Sequence, residues 1–140
     1  MNALGHGSMG LLGRLRKDYS DMFNQYHELC GWFNDDKHQE EILGMFQGIQ
    51  FPGSKNILCN AFAQRFFSDT KYGIDIDSWE KIIRKVIAQI KAHEKETGIK
   101  YEIHCPYRIG YGMKSDEIDD VKNMIEEYFA DSDIEFVYHL

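Results

Sequence analysis

Two glycine-rich segments are where this chain could hold a phosphate. Ile109-Gly110-Tyr111-Gly112-Met113 follows a strand-like run at residues 100–105 and precedes an amphipathic helical pattern opening near Ser115. Gly5-His6-Gly7-Ser8-Met9-Gly10 also runs into a helical pattern, at the other end of the chain. A glycine turn that feeds a helix leaves backbone N–H groups unpaired where the helix dipole is positive, which suits a phosphate or a ribose phosphate. Glycine serves there because a side chain would hold the anion off the backbone. A lone Gly-x-Gly is a weak pattern; two of them, each opening a helix, carry more.

Other chemistries fit less well. His104-Cys105 with Arg108 hints at a cysteine phosphatase, but the cradling arginine belongs six residues after the cysteine, where Tyr111 stands, and Pro106 interrupts the nest. A buried thiol at a strand end is the simpler reading. The first glycine segment lacks the lysine of a P-loop, and no Gly-x-Ser-x-Gly elbow is present. The six histidines are scattered, without a His-x-x-x-His or Cys-x-x-Cys pair, so neither a metal nor a cofactor is expected. Asp116, Glu117, Asp119 and Asp120 read first as the acidic opening turn of a helix, favoured by its dipole, and second as a carboxylate site. Phe66, Phe67 and Tyr72 would wall a nucleobase or fold back on the core.

Composition narrows the partners. At a net charge of −7 the chain has no general electrostatic drive toward nucleic acid or an anionic membrane. Hydrophobic content of 43% suffices for a core, and 140 residues suit a single domain, 1–140. No apolar run approaches the length of a membrane span and no leader pattern opens the sequence, so a cytoplasmic protein is expected. Cys30, Cys59 and Cys105, odd in number and apolar in context, are expected as buried thiols.

The elements that position these residues follow from periodicity. Leu11, Leu12, Leu15, Tyr19, Met22, Phe23, Tyr26 and Leu29 recur at helical spacing, with Ser20-Asp21 restarting the helix on a fresh cap and Gly31 ending it. Residues 42–49 and 56–62 read as a hairpin turning at Phe51-Pro52-Gly53-Ser54. Residues 64–75 are a loop. Asp77 and Glu80 fit a capping box, opening a long helix with Trp79, Ile82, Ile83, Val86, Ile87 and Ile90 on its apolar stripe and Gly98 as its stop. Strands at 100–104 and 134–138, joined by a helix carrying Ile118, Val121, Ile125, Tyr128 and Phe129, should lie parallel. The whole is an α/β layered domain with a mixed sheet flanked by helices.

In order, these pieces resemble a macrodomain, and within that family the small ADP-ribosyl hydrolases. Asn2-Ala3 with Gly7-Ser8-Met9-Gly10 resembles the family's asparagine and first glycine loop. Residues 15–23 are similar to the helix that follows, with Ser20 where a proline is usual. Cys59-Asn60-Ala61-Phe62-Ala63-Gln64 looks like the family's Asn-Leu-Phe-Ala/Gly-Gln strand end. Tyr107-Arg108-Ile109-Gly110-Tyr111-Gly112 resembles the Tyr-Lys-Ile-Gly-Cys-Gly of the second loop. The resemblance implies that Asn2, Gly7, Ser8, Met9 and Gly10 on one side, and Ile109, Gly110, Tyr111, Gly112 and Met113 on the other, clasp the diphosphate and distal ribose of ADP-ribose, with Phe66 and Tyr72 flanking.

Two departures from that pattern set further expectations. Lys114 stands where the hydrolases carry a carboxylate, and no lysine matches the family's catalytic one. Lys71, Asp116 and Glu117 are then the candidate catalytic residues, and hydrolysis is expected to be weak. The sequence also begins where the family's second strand ends, so two strands are expected to be missing, one of them from between 56–62 and 100–104. The resemblance therefore implies a module for ADP-ribose, a related nucleotide diphosphate or an ADP-ribosylated substrate. The alternative is a degenerate, non-enzymatic macrodomain that pairs through an exposed sheet edge with a partner or as a homodimer.

Overall fold

A break at Tyr19 divides the first predicted helix into α1 (Gly10–Asp18) and α2 (Ser20–Trp32) in the computed structural model, which describes residues 10–33, 39–63, 76–106 and 115–139. Tyr19, at φ −138° and ψ 62°, leaves the helical region and makes no side-chain cap bond, so the restart expected at Ser20 occurs but on a backbone cap. The Tyr19 carbonyl accepts from the N–H groups of Met22 and Phe23, both at 3.1 Å. Gly31 does not end the helix; it lies inside α2, and the Phe33 N–H closes the last turn on the Cys30 carbonyl at 3.1 Å.

The hairpin is shorter than its hydrophobic pattern. Residues 39–42 form a single helical turn, α3 (Gln39–Ile42), and Ile42 is fully buried from there. Gly44, at φ +82°, reverses the chain into β1 (Phe46–Gln50). An apolar run alone does not separate a buried helical turn from a strand. Pro52-Gly53 makes the expected turn, with Gly53 at φ +66° and the Ser54 N–H on the Phe51 carbonyl at 3.2 Å. β2 (Ile57–Ala61) then pairs antiparallel with β1, Gln47 opposite Asn60 and Ile49 opposite Leu58.

The second half is built on one long helix. α4 (Ile76–Thr97) ends as expected at Gly98, whose φ of +73° lets its N–H reach the Glu94 carbonyl at 2.8 Å. The helix begins at Ile76, so Asp77 lies within its first turn rather than at the cap position of a capping box. β3 (Ile103–Pro106), α5 (Ser115–Ser132) and β4 (Phe136–His139) form a strand–helix–strand unit. Its strands are parallel, with Ile103 opposite Phe136 and Cys105 opposite Tyr138. The Ser132 hydroxyl ends α5 by donating to the Phe129 carbonyl and accepting from the Ile134 N–H.

Two hydrophobic clusters result. Leu15, Met22, Phe23, Tyr26, Cys30, Ile42, Ile49 and Phe62 form the first, between α1, α2 and the inner face of the hairpin. Ile83, Val121, Ile125, Phe129 and Ile134 form the second, with Trp79, Ile87 and Ile90 of α4 packed against it. The Lys85 Nζ crosses from α4 to the Gly44 carbonyl at 3.2 Å. Both strand orientations of a mixed sheet are present. Among the described residues, however, they form two separate two-stranded sheets, β1–β2 and β3–β4. Strands β2 and β3 are not paired with each other. No described helix is long and apolar enough to cross a membrane.

Candidate functional site

The fold sets the approach to each glycine segment. Gly10, the last residue of the first, is the first residue of α1. The second lies between the end of β3 at Pro106 and the start of α5 at Ser115. Asp116 and Glu117 occupy the first turn of α5, where a helix favours negative charge. Asn2, Gly7, Ser8, Met9, Phe66, Lys71, Tyr72, Ile109, Gly110, Tyr111, Gly112 and Met113 lie outside the described residues. On either side of the segment carrying Phe66, Lys71 and Tyr72, the described residues are the buried Phe62 and Ala63 and the exposed Ile76 that opens α4.

Two buried polar atoms lack partners among the described residues. Asn60, in β2, donates through Nδ2 to Gln47 Oε1 at 3.1 Å, and Gln47 in turn donates to the Gln25 carbonyl at 3.2 Å. Among the described residues the buried Asn60 Oδ1 has nothing to accept from, and the buried indole N–H of Trp79 has nothing to donate to. Each such group costs on the order of 1–3 kcal/mol. Nearly all buried polar groups are paired, so an orphan calls for a specific explanation.

The cysteines divide. None is in a disulfide; Cys30 is buried, Cys105 is half-buried, and Cys59, expected inside, is exposed because it points away from α2 on the outer face of the hairpin. Burial pushes the Cys105 thiol up to about 11, against a smaller opposing pull from the Lys122 charge. A thiol is a poor nucleophile until it ionises, so Cys105 does not suit the phosphatase chemistry.

Two features were not legible in the sequence. A shallow open cleft between α2 and β1 is lined by Gln25, Glu28, Leu29, Trp32 and Gln47, and none of these is among the predicted ligand residues. On the β3–β4 pair, His104 and His139 come together with Glu102, although 35 residues separate the two histidines. No spacing rule detects a pair made only by strand register. No group of three or more His, Cys, Asp or Glu side chains could hold a metal among the described residues.

No family model matches the chain, and no curated protein matches it either. Solved structures do. The chain is similar to the macrodomain of Thermus aquaticus DarG, at 14% identity and a TM-score of 0.67, over 99% of this chain and 83% of that one. It is similar to the macrodomain of Mycobacterium tuberculosis DarG at 15% identity and a TM-score of 0.70, with the same two shares. At such identity the likeness is one of backbone path. That path, from the paired helices through the hairpin to the parallel strand–helix–strand unit, is the macrodomain fold.

Proposed function

We propose that this chain binds ADP-ribose or a related nucleotide diphosphate between the segments Gly7–Gly10 and Gly110–Met113. The observation that carries the reading is the junction of each glycine segment with a helix start, α1 at Gly10 and α5 at Ser115, on a macrodomain backbone. Helix N-termini present N–H donors and positive potential to a diphosphate. Asn2 and Ile109 belong to the same two arms, and Phe66 and Tyr72 flank the distal end. Bound substrate would be hydrolysed slowly at the distal ribose. Asp116 and Glu117 are the candidates for accepting the proton, because Lys114 is an ammonium and cannot accept one, and Lys71 is the candidate for a proton donor.

Titration calorimetry with ADP-ribose tests the reading. Saturable binding supports it, and silence at millimolar ligand overturns it. Weak release of ADP-ribose from an ADP-ribosylated substrate, lost in Asp116→Ala or Glu117→Ala, would assign the acid.

A second reading is favoured by the unpaired strands. β2 and β3 each have a partner on one side only among the described residues, and an open edge is a template for pairing with another chain. A non-enzymatic interaction module or homodimer would use that edge. An inert titration together with a concentration-dependent increase in mass would select it.

A further inference from the structure

We propose that the cleft between α2 and β1 receives an arginine side chain from a basic polypeptide partner. Gln25, Glu28, Leu29 and Trp32 line it from α2, and Gln47 lines it from β1. The four helix residues fall at i, i+3, i+4 and i+7, so they share one face of α2. The other side of the helix, with Met22, Phe23, Tyr26 and Cys30, is buried in the first cluster.

The charges and dipoles of this face all favour a cation. Glu28 is exposed, and none of the salt bridges among the described residues engages it. Trp32 is the most exposed large hydrophobic side chain among the described residues, at 76%. An indole face attracts a cation through its quadrupole. Helix α2 ends at Trp32 with no basic residue in its last turn, so the negative end of its dipole is not met from within the helix. The chain as a whole carries a net charge of −7. The floor of the cleft is already fixed. Gln47 Nε2 donates to the Gln25 carbonyl at 3.2 Å, and Gln47 Oε1 accepts from Nδ2 of the fully buried Asn60 at 3.1 Å. A ligand seated there spends little on ordering it.

A guanidinium fits these groups better than other occupants. It is planar and weakly hydrated, so it stacks on an indole while its N–H fork reaches a carboxylate and carbonyl oxygens. An ammonium is compact and strongly hydrated, and gives up more water for fewer contacts. A phosphate would be repelled by Glu28 and by the end of α2. An uncharged ring would cover Trp32 but leave the Glu28 carboxylate without a counter-charge. The cleft is shallow and open, which suits one side chain projecting from a larger partner rather than an enclosed small molecule.

The test titrates the full chain with an oligoarginine peptide and with an oligolysine of equal length. The indole N–H resonances of Trp32 and Trp79 are followed by NMR, and labelled peptide is followed by fluorescence anisotropy. A saturable shift is expected at Trp32 and not at Trp79, with the arginine peptide binding more tightly. Trp32→Ala and Glu28→Gln should each weaken binding about five- to tenfold, with unchanged circular dichroism. Asp131→Asn removes the same charge from an exposed site on α5 and should leave binding nearly unchanged. The proposal is overturned if the Trp32 resonance does not move, or if oligolysine binds as tightly. Equal effects of Glu28→Gln and Asp131→Asn would also overturn it, since only the general attraction of an acidic chain would remain. A Trp32 resonance that shifts with protein concentration alone would give the cleft to a second copy of this chain instead.

Discussion

Three glycines in this chain make opposite demands on a methyl group. At Gly44 the backbone sits at φ +82°, and an added Cβ would meet Lys81 Cδ at 3.2 Å. An L-residue pays about 1–2 kcal/mol for the left-handed region, so Gly44→Ala should lower unfolding stability in urea by about that much. Gly31 sits in a helix with nothing within 4 Å of a built Cβ. Gly31→Ala should therefore stabilise, by about 0.5–1 kcal/mol, and the pair can be measured side by side. Gly112 belongs to ligand binding instead: under the proposed function Gly112→Val removes ADP-ribose binding in calorimetry while leaving the denaturation midpoint near wild type. Glycines were legible where a turn rule needs them, at Gly53 and Gly98, and misread at Gly31, where a helix carried on through a residue that usually stops one. The contact between His104 and His139 and the bond from Asn60 to Gln47 were invisible for a different reason: both depend on which residue of one strand faces which of another.

Helices α4 and α5 meet through their apolar faces and through one polar knot at the rim. Arg84 donates to the Tyr128 hydroxyl from Nε at 3.1 Å and from Nη2 at 2.9 Å, and pairs with Glu80 at 2.6 Å. The Tyr128 hydroxyl donates to the same Glu80 oxygen at 2.7 Å. The Tyr128 bond first, and the Arg84 charge second, hold the Glu80 carboxyl below its ordinary value; the Arg84 guanidinium is correspondingly raised. A carboxyl depressed in the folded state adds stability that is complete above its unfolded pKa and fades as pH falls through the folded one. Tyr128→Phe should accordingly lower the melting temperature slightly at pH 7, with the gap to wild type closing in acid. A gap that is constant from pH 7 to pH 3 would remove Glu80 from the account. Helix periods of the second half were readable from apolar spacing, and the stop of α4 from Gly98. The start of β1 was not, because Ile42 is as apolar in a buried helical turn as in a strand, and only Gly44 tells the two apart.

Across the whole molecule, the open question raised by the sequence was what fills the space between the hairpin and the parallel pair. Among the described residues those strands do not join. The helix stripes are covered: Leu15, Met22, Phe23 and Tyr26 are buried in one cluster and Ile83 in the other. Apolar exposure falls elsewhere, on Trp32 at 76% and Ile57 at 51%. Under the edge-pairing reading, sedimentation at micromolar concentration should show a species near twice the 16.4 kDa chain mass, and a charged residue at Ile57 (Ile57→Lys) should return it to monomer. The two clusters also divide the chain without interleaving, the first drawn from residues 15–62 and the second from 79–138. Among the described residues each of the two strand pairs closes over a hairpin or a single helix. Short closures are entropically cheap and fast, so each half can nucleate on its own nearest neighbours and neither must wait for the far end of the chain. Native-state hydrogen exchange should then resolve two cooperative units with separate opening energies, and a destabilising change such as Gly44→Ala should accelerate exchange in the first while leaving the amides of α5 nearly untouched.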